Sequence, residues 1–265
     1  LSCLFMADIV IVEAVRSPVG RRGGELSTMH PSDLLSEVQT ALVKRSGVDP
    51  ASVGQIVGGC VSQAGEQTAN IARTAWLGAG MPLNVAATTV DAQCGSSQQA
   101  VTLAYGLVAS GVVDSAIGCG VESMTRNPMG SSYRKGQLTA TSKYKENYEY
   151  TSQFQGAELL AKKWGISREE CDEFGLRSQE NAARAWEEDR FSTQIVQIQT
   201  PVLDEDGKPT GATKTVSRDG GLRPTTLETL SQLSPVLEGG VHTAGASSQI
   251  SDGSGAVLLM TAESA

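Results

Sequence analysis

Thr89-Val90-Asp91-Ala92-Gln93-Cys94-Gly95-Ser96-Ser97-Gln98 joins a β-branched run to a helical one, with a cysteine at the junction. Ala87 to Asp91 reads as a strand and Gly95 to Ser110 as a helix. The apolar residues of that helix, Ala100, Val101, Leu103, Tyr105, Leu107 and Val108, lie almost all round it, which predicts a helix inside a fold. Cys94 stands where the helix begins. Unpaired N–H groups and the positive end of the helix dipole favour a thiolate there. Gly95 leaves room for a substrate beside the sulfur. A strand, an elbow and a helix in this order present a nucleophile. The position also suits a buried structural cysteine, and position alone leaves both readings open.

Working outward, Asp8 to Val15 is a β-branched strand and Arg16 to Gly24 a Pro- and Gly-containing loop. Pro31 to Arg45 carries apolar residues at helical spacing and is stopped by Gly47. Val53 to Val61 reads as a strand, Ala69 to Leu77 as a short helix and Ser115 to Val121 as a fourth strand. Strand and helix alternate, which predicts an α/β fold whose mixed sheet is mainly parallel, with helices on both faces. From Glu122 the alternation stops. One strong helix stands out there, opened by a capping box at Ser167 and Glu170 and running to about Asp189. Ala256 to Thr261 reads as a closing apolar strand. The expected organisation is a leader or remnant at 1–6, a core at 7–121, an inserted loop region at 122–254 and a closing strand at 255–265.

Composition narrows the function classes. The 265 residues are 40% hydrophobic and 19% charged, which argues against a disordered chain. The net charge of −8 disfavours a nucleic-acid partner. No apolar run is long enough for a membrane span, and no secretory pattern opens the chain, so a cytoplasmic location is the expectation. The five cysteines, Cys3, Cys60, Cys94, Cys119 and Cys171, are widely spaced with no C-x-x-C pair. That disfavours both a disulfide framework and a zinc site, and no metal is expected. Cys60 and Cys119 read as core, and Cys171 as a residue in the first turn of the charged helix. His30 reads as a surface residue at a helix entry and His242 as positional. Arg134, Lys135, Lys143 and Lys145 form a basic stretch, read as a solvated loop or as an attractor of anionic phosphates.

Four segments in order resemble one family. Asp91-x-Gln93-Cys94-Gly95-Ser96-Ser97-Gln98-Gln99-Ala100 is similar to the nucleophile motif of thiolases, the acetyl-CoA acetyltransferases and acyl-CoA acyltransferases. Val10-x-x-x-Ala14-x-Arg16-Ser17-Pro18-x-Gly20 resembles their opening strand and loop, and Gly120-Val121-Glu122-Ser123-Met124 their G-[MV]-E-S-M segment. His242-Thr243-Ala244-Gly245-Ala246-Ser247-Ser248-Gln249-Ile250-Ser251-Asp252-Gly253 resembles their coenzyme A loop, and Arg223-Pro224-Thr225-Thr226-Leu227-Glu228 is also similar to the family.

The resemblance implies a thiolase-like half and a reaction. Cys94 would attack an acyl-CoA thioester and carry the acyl group to coenzyme A or to the carbanion of acetyl-CoA. Coenzyme A is then a co-substrate, and no covalently bound cofactor is implied. Ala244, Gly245 and Ser248 would lie against pantetheine, and Arg223 would meet the nucleotide end. Gly95 and Met124 would support the site. The family also implies a homodimer or homotetramer. Its second half brings an activating His in a G-H-P context and a second Cys in a C-x-G context, and neither pattern occurs here. This chain is therefore read as the N-terminal half, incomplete for the full cycle and exposing an apolar patch. Ala246 replaces an Asn of the family loop, Phe154 replaces a Gly before Ala157-Glu158, and Ala92 replaces an Arg of many relatives. Two other readings remain. One is a ketoacyl-synthase-like condensing enzyme. The other is a non-catalytic half-protein that binds coenzyme A or docks to a partner.

Overall fold

The computed structural model describes residues 8–133 and 140–265; the expected leader, Cys3, Arg134 and Lys135 lie outside them. The chain divides into two compact units. The first takes in the chain to Ser132, with Ser192–Gly220 and Ile250–Ala265. The second takes in Tyr133–Phe191 and Gly221–Gln249.

In the first unit the elements are β1 (Ile9–Arg16), β2 (Gly20–Arg21), α1 (Pro31–Ser46), β3 (Gln55–Gly59), α2 (Ile71–Gly78), β4 (Ala86–Val90), α3 (Ser96–Ala109), β5 (Ser115–Ser123), the hairpin β6 (Ile198–Leu203) and β7 (Pro209–Val216), and β8 (Ser251–Thr261). The main sheet runs β1-β8-β5-β3-β4, with β2 beside β8. β3 is parallel to both β4 and β5. β8 is antiparallel to β5 and to β1, so the parallel part is one side of a mixed sheet.

The strand period of two sorts the core onto two faces. Ile56, Ile117 and Leu258 point to one face, with Leu34, Leu35, Val38 and Leu42 of α1 and Trp76 of α2. Their neighbours Val57, Ala116 and Leu259 point to the other, against Ala100, Ala104 and Val108 of α3. Trp76 is fully buried, and its indole N–H donates to the Pro82 carbonyl at 3.0 Å. α1 begins where Pro31 follows His30, whose Nδ1 accepts the Ser32 N–H at 3.2 Å, and ends at Gly47 with φ 71°. His30 is thus a helix cap and not merely a surface residue.

The expectation for α3 needs correction. Ala100, Ala104 and Val108 form a single buried stripe, while Leu103 is 41% and Tyr105 48% exposed. The helix is apolar all round, yet within the first unit only its sheet-facing side has a partner. Ile11 of β1 is likewise 64% exposed.

The inserted region at 122–254 is also not one block. Residues 192–220 return to the first unit, where Ile198 and Val216 are buried in its core. Arg16 ties this return to β1. Its guanidinium meets both carboxylate oxygens of Asp219 at 2.8 and 3.1 Å, and its N–H donates to the Gln194 carbonyl at 2.8 Å. The closing strand is longer than expected, starting at Ser251.

The second unit is helical: α4 (Ser142–Asn147), α5 (Gln153–Trp164), α6 (Arg168–Glu187) and α7 (Leu227–Ser231). Capping boxes open three of these helices, at Ser152 with Gln155, Ser167 with Glu170, and Thr226 with Thr229. The α6 box was read from sequence. The Ser152–Gln155 box was the available signal for α5, which sequence reasoning missed.

Two outcomes test this packing. Trp76→Ala removes the largest buried side chain and is expected to cost about 3–5 kcal/mol in urea unfolding. Replacing Leu103 and Tyr105 with Glu is expected to lower binding of an apolar dye and concentration-dependent association of the chain, with little change in its unfolding midpoint. Unchanged dye binding would show that this face is not the exposed apolar surface.

Candidate active site

Cys94 lies in the elbow between β4 and α3, and among the described cysteines it is the exposed one. The turn that carries it is held in an unusual shape. Gln93 sits at φ 52°, a left-handed conformation uncommon for a side-chain-bearing residue. Asp91 stabilises it by accepting the Gln93 N–H at 2.7 Å. Ser96 accepts the Ala92 N–H at 2.9 Å and donates back to the Gln93 carbonyl. Gly95 caps α3 without a side-chain bond, so no capping side chain occupies the first-turn N–H groups. A side chain at Gly95 would meet only the Ala92 carbonyl, at 3.5 Å, so space remains open beside the cysteine.

The elbow rests on backbone. A methyl group on Gly59 would overlap the Ser96–Ser97 peptide, and one on Gly120 would overlap Ser97 Oγ and come within 2.8 Å of the Gly59 carbonyl. Just past Gly59, the Cys60 N–H donates to the Val90 carbonyl at 3.1 Å, tying the ends of β3 and β4 together. Glu122, on β5, gathers the next loop. Its carboxylate accepts the Val61 N–H at 2.8 Å, the Ser62 N–H at 3.2 Å and the Gln67 amide at 3.0 Å. Met124 follows β5, half-buried, with its N–H on the Ser251 carbonyl at 3.2 Å. Cys94 and Met124 therefore both follow the carboxyl ends of parallel strands, where α/β sheets place ligands. The Glu122 network was not singled out from sequence, where Glu122 was only one letter of a motif.

The other described cysteines are held as neutral thiols. Burial, and then the Glu122 carboxylate, push Cys60 up to about 12. Burial pushes Cys119 up to about 12, against a weak opposing contact from Gln39. Cys171 is raised by partial burial and then by Asp172, Glu158 and Glu170. These three fit packing roles, and among the described residues no two cysteines form a disulfide.

The remaining sequence candidates lie in the second unit. Ala244 and Ser248 are exposed, on a turn whose base is buried. Thr243 organises that turn: its hydroxyl accepts the Gly245 N–H at 3.1 Å, and its carbonyl accepts the Ala246 N–H at 3.1 Å and the Ser247 hydroxyl at 2.7 Å. The Gln249 amide then donates to the Gly221 carbonyl at 3.0 Å, linking this loop to the segment that carries Arg223. Arg223 is exposed and lines a groove of about 360 Å³ with Leu176, Gln179 and Ala183 of α6. Its N–H donates to Gln179 at 3.2 Å. Arg223, Ala244, Gly245 and Ser248 thus belong to one unit, and Cys94, Gly95 and Met124 to the other.

At the start of the loop, His242 is buried, paired through Nδ1 with Glu158. Partial burial alone would raise the Glu158 carboxyl. The Val241 and His242 N–H groups and the His242 ring outweigh it and hold the carboxyl below its ordinary range. Among the described residues no helix is long and apolar enough to cross a membrane. Nor do three or more His, Cys, Asp or Glu among them gather as a metal site.

Comparison with known proteins places this geometry in a family. The profile described as "Thiolase, N-terminal domain" matches residues 9–263. The chain is 40% identical over 263 residues to the steroid 3-ketoacyl-CoA thiolase FadA6 of Mycobacterium tuberculosis, which covers 96% of this chain and 62% of that protein. It is 39% identical to the 3-ketoacyl-CoA thiolase of Bacillus subtilis, across 98% of this chain and 67% of that one. The crystal structure of the Bacillus anthracis acetyl-CoA acetyltransferase superposes with a TM-score of 0.83 at 34% identity, covering 98% of this chain and 66% of that one. The chain spans about two thirds of the length of these relatives, and it belongs to the thiolase family, within that family's N-terminal domain.

Proposed function

We propose that this chain carries the nucleophile and one wall of the coenzyme A site of a thiolase-type acyltransferase. The observation that carries the reading is the exposed Cys94 on a strained elbow seated on Gly59 and Gly120. In the first step the Cys94 thiolate attacks the thioester carbonyl. A bond forms between Cys94 Sγ and the acyl carbon, the acyl–sulfur bond to coenzyme A breaks, and coenzyme A leaves as a thiolate that takes up a proton. Transfer to a second acceptor regenerates Cys94. With the acetyl-CoA carbanion as acceptor, a carbon–carbon bond forms to the acyl carbon and the enzyme condenses. In the cleaving direction Cys94 instead attacks the 3-keto carbonyl of a 3-ketoacyl-CoA, and the C2–C3 bond breaks. Acetyl-CoA leaves as a carbanion that takes up a proton, and coenzyme A then accepts the acyl group.

Arg223 would attract the anionic nucleotide end across the groove along α6, while Ala244 and Ser248 would lie against pantetheine. The activating His and the second Cys of the family resemblance have no counterpart in the motifs of this chain. General acid–base groups contribute roughly 10²–10⁴-fold each. The chain by itself is therefore expected to acylate slowly and not to turn over. A homodimer or homotetramer and a cytoplasmic setting complete the proposal.

Intact-mass spectrometry with peptide mapping after excess acetyl-CoA tests it. One acetyl group on the Cys94 peptide is expected, and none in Cys94→Ala. Acetylation spread over surface lysines with Cys94 unmodified would overturn the nucleophile assignment. Arg223→Ala is expected to weaken coenzyme A binding about tenfold, with a much smaller effect on a pantetheine thioester that lacks the nucleotide. Equal losses for both ligands would remove Arg223 from the nucleotide end.

A further inference from the structure

His242 opens the exposed loop of the second unit, yet it is itself buried, and neither ring nitrogen has a hydrogen-bond partner among the described residues, Nδ1 standing instead in ion-pair contact with Glu158. Two side chains of α5 enclose it. Phe154 stacks on the imidazole, with ring centroids 6.2 Å apart and planes 11° from parallel. Glu158, one helical turn on, pairs with Nδ1 from the same face of α5. The Glu158 carboxylate also accepts the Val241 N–H at 3.1 and 3.0 Å and the His242 N–H at 3.3 Å. One carboxylate therefore takes up two consecutive backbone donors and the ring that follows them.

The Glu158 carboxylate lies directly against Gly240, where a methyl group would meet it. Beyond His242, Thr243 is fully buried, and the Gly245 carbonyl would stand 2.6 Å from a Cβ at Gly175 of α6. The loop changes from buried at Thr243 to exposed at Ala244 across one peptide bond. Whatever fixes residues 241–243 therefore fixes the direction in which Ala244 and Ser248 face solvent.

We propose that His242 is a positioning residue: clasped between Phe154 and Glu158, it sets the orientation of the loop that presents Ala244 and Ser248 to coenzyme A. The proposal rests on the reading of that loop as a coenzyme A wall. It adds that the wall is aligned by an aromatic–imidazole–carboxylate clasp on α5. The Val241 and His242 N–H groups and the His242 ring hold the Glu158 carboxyl below its ordinary range, which favours the carboxylate side of the clasp.

Two readouts on the full chain separate the clasp from the reading it rests on. The first is amide hydrogen exchange at Gly245 and Ala246 without ligand. His242→Ala and Glu158→Gln are each expected to speed it about tenfold, the loss of one charge-assisted or buried hydrogen bond, while α6 amides keep their protection. Phe154→Ala should give a smaller acceleration and Phe154→Tyr should restore the original rate. Phe154 is 39% exposed, so this pair tests the clasp even where His242→Ala unfolds the unit.

The second readout is calorimetric affinity for coenzyme A, expected to weaken in parallel with the exchange rates. Unchanged exchange in both Glu158→Gln and Phe154→Ala would overturn the clasp, whatever coenzyme A does. Faster exchange with unchanged coenzyme A affinity would overturn its positioning role. Faster exchange in the variants together with no coenzyme A binding by the unsubstituted chain would overturn the coenzyme A reading and, with it, this assignment.

Discussion

Gly59, the last residue of β3, stands beside Gly120 within β5, and the first turn of α3 lies directly on them, closer than any side chain would allow. This backbone-on-backbone contact sets the height of α3 above the sheet. It continues along the helix, where Gly118 faces Val101 and the stripe Ala100–Ala104–Val108 presents only small groups or a single branched one. Because α3 cannot rise, the strand that leads to it has to turn within the few residues from Asp91 to Gly95. Gln93 takes the positive φ that this requires, and Asp91 and Ser96 supply the bonds that hold it. The exposure of Cys94 goes with a packing requirement on the two strands beyond β4, β3 and β5. A single methyl group at either glycine would push the first turn of α3, and the elbow that leads into it, off its seat.

The order of the elements in the first unit was legible because period and punctuation agree there. β-branched runs mark the strands, Gly47 ends α1, and the helix after Cys94 starts where its glycine predicts. What misled was the meaning of an apolar helix. α3 carries Leu103 and Tyr105 on sides that no element of its unit covers, and hydrophobicity reports what a helix is suited to meet, not what one chain provides. The β6–β7 hairpin stayed hidden for a related reason. β7 is exposed along nearly all its length, so the alternation that marks a half-buried strand is missing, and only Val216 reaches the core.

The candidate site was legible as letters and not as contacts. Cys94, Gly95, Met124, Arg223, Ala244, Gly245 and Ser248 came from motifs, and the structure gives each a position after a strand, on a loop or along a groove. The residues that hold them were invisible, because their partners are remote in sequence. Glu122 reaches Val61 and Ser62, and Glu158 reaches Val241 and His242. No spacing rule spans such separations, and a lone acidic residue in a polar stretch reads first as solvated surface.

These two glutamates solve the same physical problem in different units. Each places one carboxylate against consecutive backbone N–H groups of a loop that would otherwise leave those donors without partners. A carboxylate is suited to this because its two oxygens accept several bonds, and charge-assisted bonds to N–H groups are stronger than neutral ones. In both cases an adjoining side chain stands against the carboxylate. Burial, and then Glu122, drive the Cys60 thiol toward its neutral form. Beside Glu158, the His242 imidazole lies with Nδ1 against the carboxylate and its ring stacked on Phe154. The two units thus share one loop-gathering device: a carboxylate takes up consecutive backbone donors, and a neighbouring side chain packs against it.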